Sequence, residues 1–187
     1  MSPRLLVITD LWGTEQADWL NAYTRPLSEY FEVTIYNSRV LGSVDEKLKI
    51  ESEIHGAFVQ GGLEKAVDNL IHQETIHRKS QSIDDHEVLA FSIGGAIAWK
   101  AALAGLKMNR FYAISSTRLR KEIKKPEATM SLIYGEEDPY RPNSEWQAKL
   151  GCEFSLIKEK GHTCYREKDV AALVVGQIMG QRQKPLR

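Results

Sequence analysis

The sequence predicts an α/β fold: a doubly wound, mostly parallel sheet of six strands in the order 2-1-3-4-5-6, with helices on both faces. Two observations predict it. Six short segments are apolar, several almost continuously, as a strand covered on both faces must be. Helix-like segments separate most of them, and that alternation is the signature of a doubly wound sheet.

Taken in order, residues 5–8 form the first strand. Residues 16–30 place Trp19, Leu20, Tyr23, Leu27 and Tyr30 at helical spacing, and 32–36 form the second strand. Residues 44–77 read as one or two helices broken at Gly61-Gly62, because paired glycines weaken a helix. The third strand is 87–91, and the Ala- and Gly-rich stretch 94–106 reads as a buried helix. Strands four and five are 110–114 and 130–134, and the connection between them, 115–128, has room for a short helix at best. A short helix at 144–150, a sixth strand at 153–157 and a last helix at 169–179 complete the pattern. The polar, basic tail 181–187 is expected to fray. No repeat, low-complexity stretch or linker divides the chain, so 1–187 reads as one domain.

A chain of 187 residues buries roughly 70% of its unfolded surface, enough for a core without disulfides. Lys plus Arg is 25 and Asp plus Glu is 25. That neutrality gives no hint of the basic face that nucleic acid or an anionic membrane selects. Cys152 and Cys164 make no disulfide framework and suit a reducing cytosol. The apolar run at 5–8 is too short for a signal-peptide core, and no stretch is long enough to span a bilayer. The expectation is a cytoplasmic protein with neither a nucleic-acid nor a membrane partner.

The strongest chemical signal is Ala90-Phe91-Ser92-Ile93-Gly94-Gly95, between the third strand and the buried helix. A nucleophilic serine on a tight strand-to-helix turn needs small residues two before and two after it, here Ala90 and Gly94. The helix that starts there points its amides at developing negative charge. A serine before a glycine-rich helix start also serves as an ordinary N-cap, so the string alone decides little. The second signal is Gly135-Glu136-Glu137-Asp138-Pro139-Tyr140, just past the fifth strand. Gly135 is expected to permit an unusual backbone angle. Of the three acids, Asp138 lies deepest in the turn. The third signal is Gly161-His162, just past the sixth strand. The other histidines, His55, His72, His77 and His86, form no zinc-type cluster. His72 and His77 are about 140° apart around a helix. Ser92, Asp138 and His162 thus follow three separate strand ends in the chain order Ser…Asp…His of one recurrent triad arrangement. Open α/β sheets bind ligands where strand order reverses, here between strands 1 and 3.

On these motifs the chain, from about residue 5 to 179, resembles the α/β-hydrolase superfamily. It is similar to a minimal member without the first two strands and without a lid, since 115–128 is too short to hold one. The resemblance implies a serine hydrolase of carboxylesterase type, needing no cofactor or metal. Ser92 would be the nucleophile, His162 the base and Asp138 the acid that orients it. It also implies an oxyanion hole from the amides of Leu11 and Ile93. The departure is Thr9-Asp10, where many members have His-Gly. Trp12, Tyr140 and Tyr165 are expected to line the mouth of an open site. Arg118 or Arg120 is a candidate to meet an anionic substrate group. The rival expectation is a catalytically inactive binding protein on the same scaffold. A nucleotide-binding domain is weaker, because no Gly-rich phosphate loop follows the first strand.

Overall fold

The structure is a computed structural model and describes residues 3–80 and 86–182. Its six strands are β1 (Arg4–Ile8), β2 (Glu32–Tyr36), β3 (His86–Phe91), β4 (Arg110–Ile114), β5 (Thr129–Gly135) and β6 (Phe154–Ile157). They pair in the order β2-β1-β3-β4-β5-β6, and every pairing is parallel. The helices are α1 (Asn21–Leu27), α2 (Ser38–Gly42), α3 (Glu51–Ala57), α4 (Leu63–Ser80), α5 (Ile93–Leu103), α6 (Ser144–Leu150) and α7 (Lys168–Arg182).

Because side chains alternate along a strand, the sheet divides the apolar residues into two cores. Leu6, Ile8, Val88, Ala90, Phe111 and Ala113 face α2 to α5, where Phe58, Leu70, Ile97 and Trp99 meet them. Leu5, Val7, Leu89, Phe91, Tyr112 and Ile114 face α1 and α7, with Tyr23, Leu27, Val174 and Ile178. β1 and β3, in the middle of the sheet, are buried along their whole length, whereas the edge strand β2 is fully buried only at Tyr36. Coverage on both faces explains why the central runs are apolar without alternation.

Four local expectations change. The break expected at Gly61-Gly62 is present, in the wide turn Phe58–Gly62 where Gly61 takes φ 124°, but the first of the two helices it separates, α3, begins at Glu51 and not at residue 44. Only glycine adopts that angle without strain. A helix the sequence reading missed, α2, follows β2 at once. The Asn37 side chain caps it by accepting from the Arg39 and Val40 amides. Residues 16–30 hold a 3₁₀ turn at Asp18–Leu20 and then the short helix α1. The expected frayed tail starts too early. Gln181 lies inside α7, its amide donates to Ser131 Oγ at 2.9 Å, and its carbonyl accepts from Arg110 at 2.7 Å. Residues 183–187 of that tail lie outside the described residues. Between β4 and β5, the connection expected to be too short for a lid holds only the 3₁₀ turn Thr117–Lys121. Among the described residues no helix is long and apolar enough to cross a membrane.

Candidate active site

β3 ends at Phe91, and Ser92 turns the chain into α5 with φ 48° and ψ −115°. That left-handed φ is rare for a side chain with a Cβ and costs about 1–3 kcal/mol. Two features hold the turn. The Ser92 amide extends the β3–β4 ladder by donating to the Ile114 carbonyl at 2.9 Å. The two glycines after it let α5 settle onto the sheet. A Cβ on Gly94 would sit 2.5 Å from the Thr9 carbonyl and 2.7 Å from that of Ile8. A Cβ on Gly95 would sit 1.9 Å from Ser116 Oγ. The smallness demanded at Gly94 is therefore set by the carbonyls at the end of the neighbouring strand β1.

His162 arrives on the 3₁₀ turn His162–Arg166 after β6. Its Nε2 lies 3.1 Å from Ser92 Oγ, and its Nδ1 lies 2.7 Å from Asp138 Oδ2. Asp138 is fully buried, while the imidazole is about a third exposed. The other Asp138 oxygen accepts from the Tyr140 amide at 3.0 Å, so the carboxylate is held on both sides. Glu136 and Glu137, the competing acids, are exposed. Gly135 has a different role from the one expected. It is the last residue of β5 with no left-handed φ, and a Cβ there would sit 2.2 Å from the Lys160 carbonyl and 2.4 Å from that of Gly161. Its missing side chain lets the histidine loop lie against the strand. The Glu137 amide then donates to Lys160 O at 2.9 Å and ties the two loops together.

The loop after β1 is organised by Asp10, which is 1% exposed. Its Oδ1 accepts from the Trp12 amide at 3.0 Å, and its carbonyl accepts from Gly13 N and Ser38 Oγ. Its Oδ2 accepts from the Tyr165 hydroxyl at 2.9 Å and from Arg166 Nη2 at 2.6 Å. The carboxylate is thus paired with a cation on the histidine turn. Burial works against the Arg166 charge, but Asp10 outweighs it and holds the guanidinium pKa above its ordinary value. Burial, and after it the charge of Asp10, pushes the Tyr165 hydroxyl far up, so it remains a donor. Leu11, next in the chain, lines the cleft beside Ser92. Among the described residues neither the Leu11 nor the Ile93 amide donates to a protein acceptor.

A cleft of about 680 Å³ opens in front of Ser92 and His162. Leu11, Arg118 and Tyr140 line it. Trp12 and Tyr165 do not. Trp12 packs half-buried against the core on the helix-rich face. Tyr165 is 2% exposed, and its ring lies among Trp19 and Phe91 with centroids 5.0 and 5.6 Å away. Both tyrosines follow strand ends, but Tyr165 points down onto the sheet because its hydroxyl is claimed by Asp10. The sequence reading missed the far wall, formed by Ile50, Glu51, Ser52 and His55. Nothing local marks those residues; the turn that precedes α3 brings them over the strand ends.

No family model matches the chain, and no curated protein sequence matches it. Solved structures do. A serine hydrolase without a lid from Xanthomonas campestris superposes with a TM-score of 0.68 at 16% identity, covering 100% of this chain and 85% of that one. A serine hydrolase homologue from Coxiella burnetii gives 0.67 at 16% identity, covering 93% and 84%. A carboxylesterase from the thaumarchaeon Nitrososphaera gargenis gives 0.63 at 12% identity, covering 98% and 92%. The protein therefore has the α/β-hydrolase fold in a form without a lid. At these identities the likeness concerns the fold, and the chemistry must be argued from the residues of this chain.

Proposed function

We propose that the protein is a serine hydrolase that cleaves an ester or related acyl bond of a small substrate through an acyl-enzyme. The observation that carries this reading is the continuous chain from Ser92 Oγ through His162 to the buried Asp138, at 3.1 and 2.7 Å, open to a cleft. His162 takes the Ser92 proton as the oxygen attacks the acyl carbonyl. Asp138 holds the imidazole in the tautomer with its proton on Nδ1 and stabilises the cation that forms. The unengaged amides of Leu11 and Ile93 are the donors available to the tetrahedral oxyanion, and losing one such donor typically raises a barrier by about 3–4 kcal/mol. His162 then protonates the leaving alcohol, and a water activated by the same imidazole releases the acid. The fold neighbours that are described as serine hydrolases and a carboxylesterase support this assignment.

The departure at Thr9-Asp10 does not favour the rival reading, an inactive scaffold: both oxygens of the Asp10 carboxylate are engaged, and Arg166 balances its charge. The two free, buried thiols Cys152 and Cys164 are consistent with the cytoplasmic setting we infer. The test is hydrolysis of p-nitrophenyl butyrate, together with labelling by a fluorophosphonate. Ser92→Ala is expected to abolish labelling and to lower kcat at least about 10⁴-fold. Turnover that survives this substitution unchanged ends the proposal.

A further inference from the structure

The cleft contains charge that the hydrolytic step does not use. Arg118, Arg120 and Lys121 line it against one carboxylate, Glu51. All three lie on the 3₁₀ turn Thr117–Lys121. In a 3₁₀ turn side chains three apart eclipse one another, so Arg118 and Lys121 stand one above the other on the same face. Leu119, fully buried, pins the turn to the core from below. Across the cleft, Glu51 and His55 share one face of α3, being four apart.

The partners of these cations separate them. Arg120 is committed locally: its Nη1 donates to the Thr117 carbonyl at 2.8 Å and to the Tyr140 carbonyl at 3.4 Å, and its guanidinium lies 5.7 Å from the centre of the Tyr140 ring. Arg118 is half-buried, and among the described residues it has neither a carboxylate within 4.0 Å nor a hydrogen bond. By contrast, Arg4 is bonded to Glu74, Arg166 to Asp10, and the buried Arg39 through Nη2 to the Asp45 and Leu48 carbonyls. A guanidinium held partly out of water gains most from a bidentate anion. The field in the cleft is positive at the opposite wall too. Burial, and after it the charges of Arg118, Lys121 and Arg120, keep the His55 imidazole below its ordinary pKa, with Glu51 opposing only weakly.

We infer that the substrate carries an anionic group, a carboxylate or phosphate remote from the scissile bond, which Arg118 binds with Lys121 beside it while the carbonyl lies at Ser92. The hydroxyls of Ser52 and Thr117 and the neutral imidazole of His55 line the same space and are available as further donors. This inference rests on the hydrolase reading for its orientation, but not for the anion site itself.

Matched esters test it. On the acyl side, p-nitrophenyl hydrogen adipate is compared with its methyl ester; on the alcohol side, 4-acetoxybenzoate is compared with methyl 4-acetoxybenzoate. In at least one pair the charged ester should have a kcat/KM roughly 10- to 100-fold above the neutral one, the range expected for charge-assisted hydrogen bonding. The advantage should shrink as salt rises, because the cleft is open and its charges are screened. Arg118→Gln should bring the ratio close to one, and Lys121→Gln, at an exposed position, should lower it part of the way. A ratio at or below one in both pairs, or a ratio that neither substitution moves, overturns the inference. Calorimetry on Ser92→Ala protein keeps this separate from the hydrolase reading. Monomethyl adipate should bind more tightly than dimethyl adipate, and the difference should vanish when Arg118→Gln is added. Equal affinities for the two compounds overturn the anion site whatever the esterase assay shows.

Discussion

Glu74, on α4, and Asp10, at the rim of the sheet, are two buried carboxylates with the same kind of partners: one arginine and one tyrosine hydroxyl. Glu74 accepts from Arg4 at 2.7 and 3.1 Å and from the Tyr36 hydroxyl. Asp10 accepts from Arg166 at 2.6 Å and from the Tyr165 hydroxyl at 2.9 Å. The surroundings differ. The Arg4 and Glu74 side chains are 6% and 0% exposed, and the cluster staples α4 to β1 and β2 away from the cleft. Arg166 is 33% exposed, and its cluster joins the loop that carries Leu11 to the turn that carries His162. On the proposed mechanism the same chemistry serves stability in one place and alignment in the other. Water is the reason for the difference. An arginine that loses its carboxylate in a sealed core stays desolvated, whereas one at the rim can rehydrate.

The largest effect should come from breaking the sealed cluster. Glu74→Ala leaves Arg4 charged and buried and is expected to cost about 3–5 kcal/mol in urea unfolding at pH 7. The same cluster has a pH signature. Burial opposes ionisation of Glu74, but the bonds from Arg4 and Tyr36 prevail and its pKa lies below the ordinary 4.5. Because the folded value is depressed, the contribution is complete above the unfolded value and is lost as pH falls through the folded one. Glu74→Gln should flatten that acid limb of the stability profile. An unchanged limb would mean that another group governs it.

Asp10→Ala should invert the pattern. We expect kcat on p-nitrophenyl butyrate to fall about 100-fold, the scale of a small misplacement of catalytic groups. Unfolding free energy should fall by only about 1–3 kcal/mol. If stability drops as far as in Glu74→Ala while kcat per folded molecule holds, the two clusters are alike in role and the comparison fails. The smallest and most discriminating step removes one hydroxyl from each. Tyr165→Phe and Tyr36→Phe should each cost about 1 kcal/mol of stability, but only Tyr165→Phe should lower kcat. Equal kcat values in the two variants would place the alignment of the histidine turn elsewhere, for example in the bond from the Tyr23 hydroxyl to the Tyr165 carbonyl at 2.7 Å.

The sequence carries the sheet and its order because strands covered on both faces must be apolar throughout, as in Leu5-Leu6-Val7-Ile8 and Val88-Leu89-Ala90-Phe91. The edge strand β6, with two of its four positions exposed, is legible only by its place in the alternation. Ser92 is marked by the glycines beside it, and their reason becomes visible only with Thr9, Ile8 and Ser116 in place. Asp138 stands out from Glu136 and Glu137 by its position before Pro139, and burial in the folded chain separates the three. The same logic misplaced Tyr165, because aromatic residues after strand ends either line a mouth or plug a core. Its hydroxyl partner lies 155 positions away in the chain.

By itself the sequence determined what repeats locally: apolar runs that make strands, helical spacing between them, and the small residues that crowded turns require. Only the tertiary structure decided which polar groups meet. It set Asp10 against Arg166 and Tyr165, and among the described residues it left Arg118 facing the cleft with no carboxylate within 4.0 Å. Local patterns follow from backbone geometry and burial, which neighbours in the chain share. Hydrogen bonds and ion pairs depend on distances of a few ångströms between residues that only the folded sheet brings together.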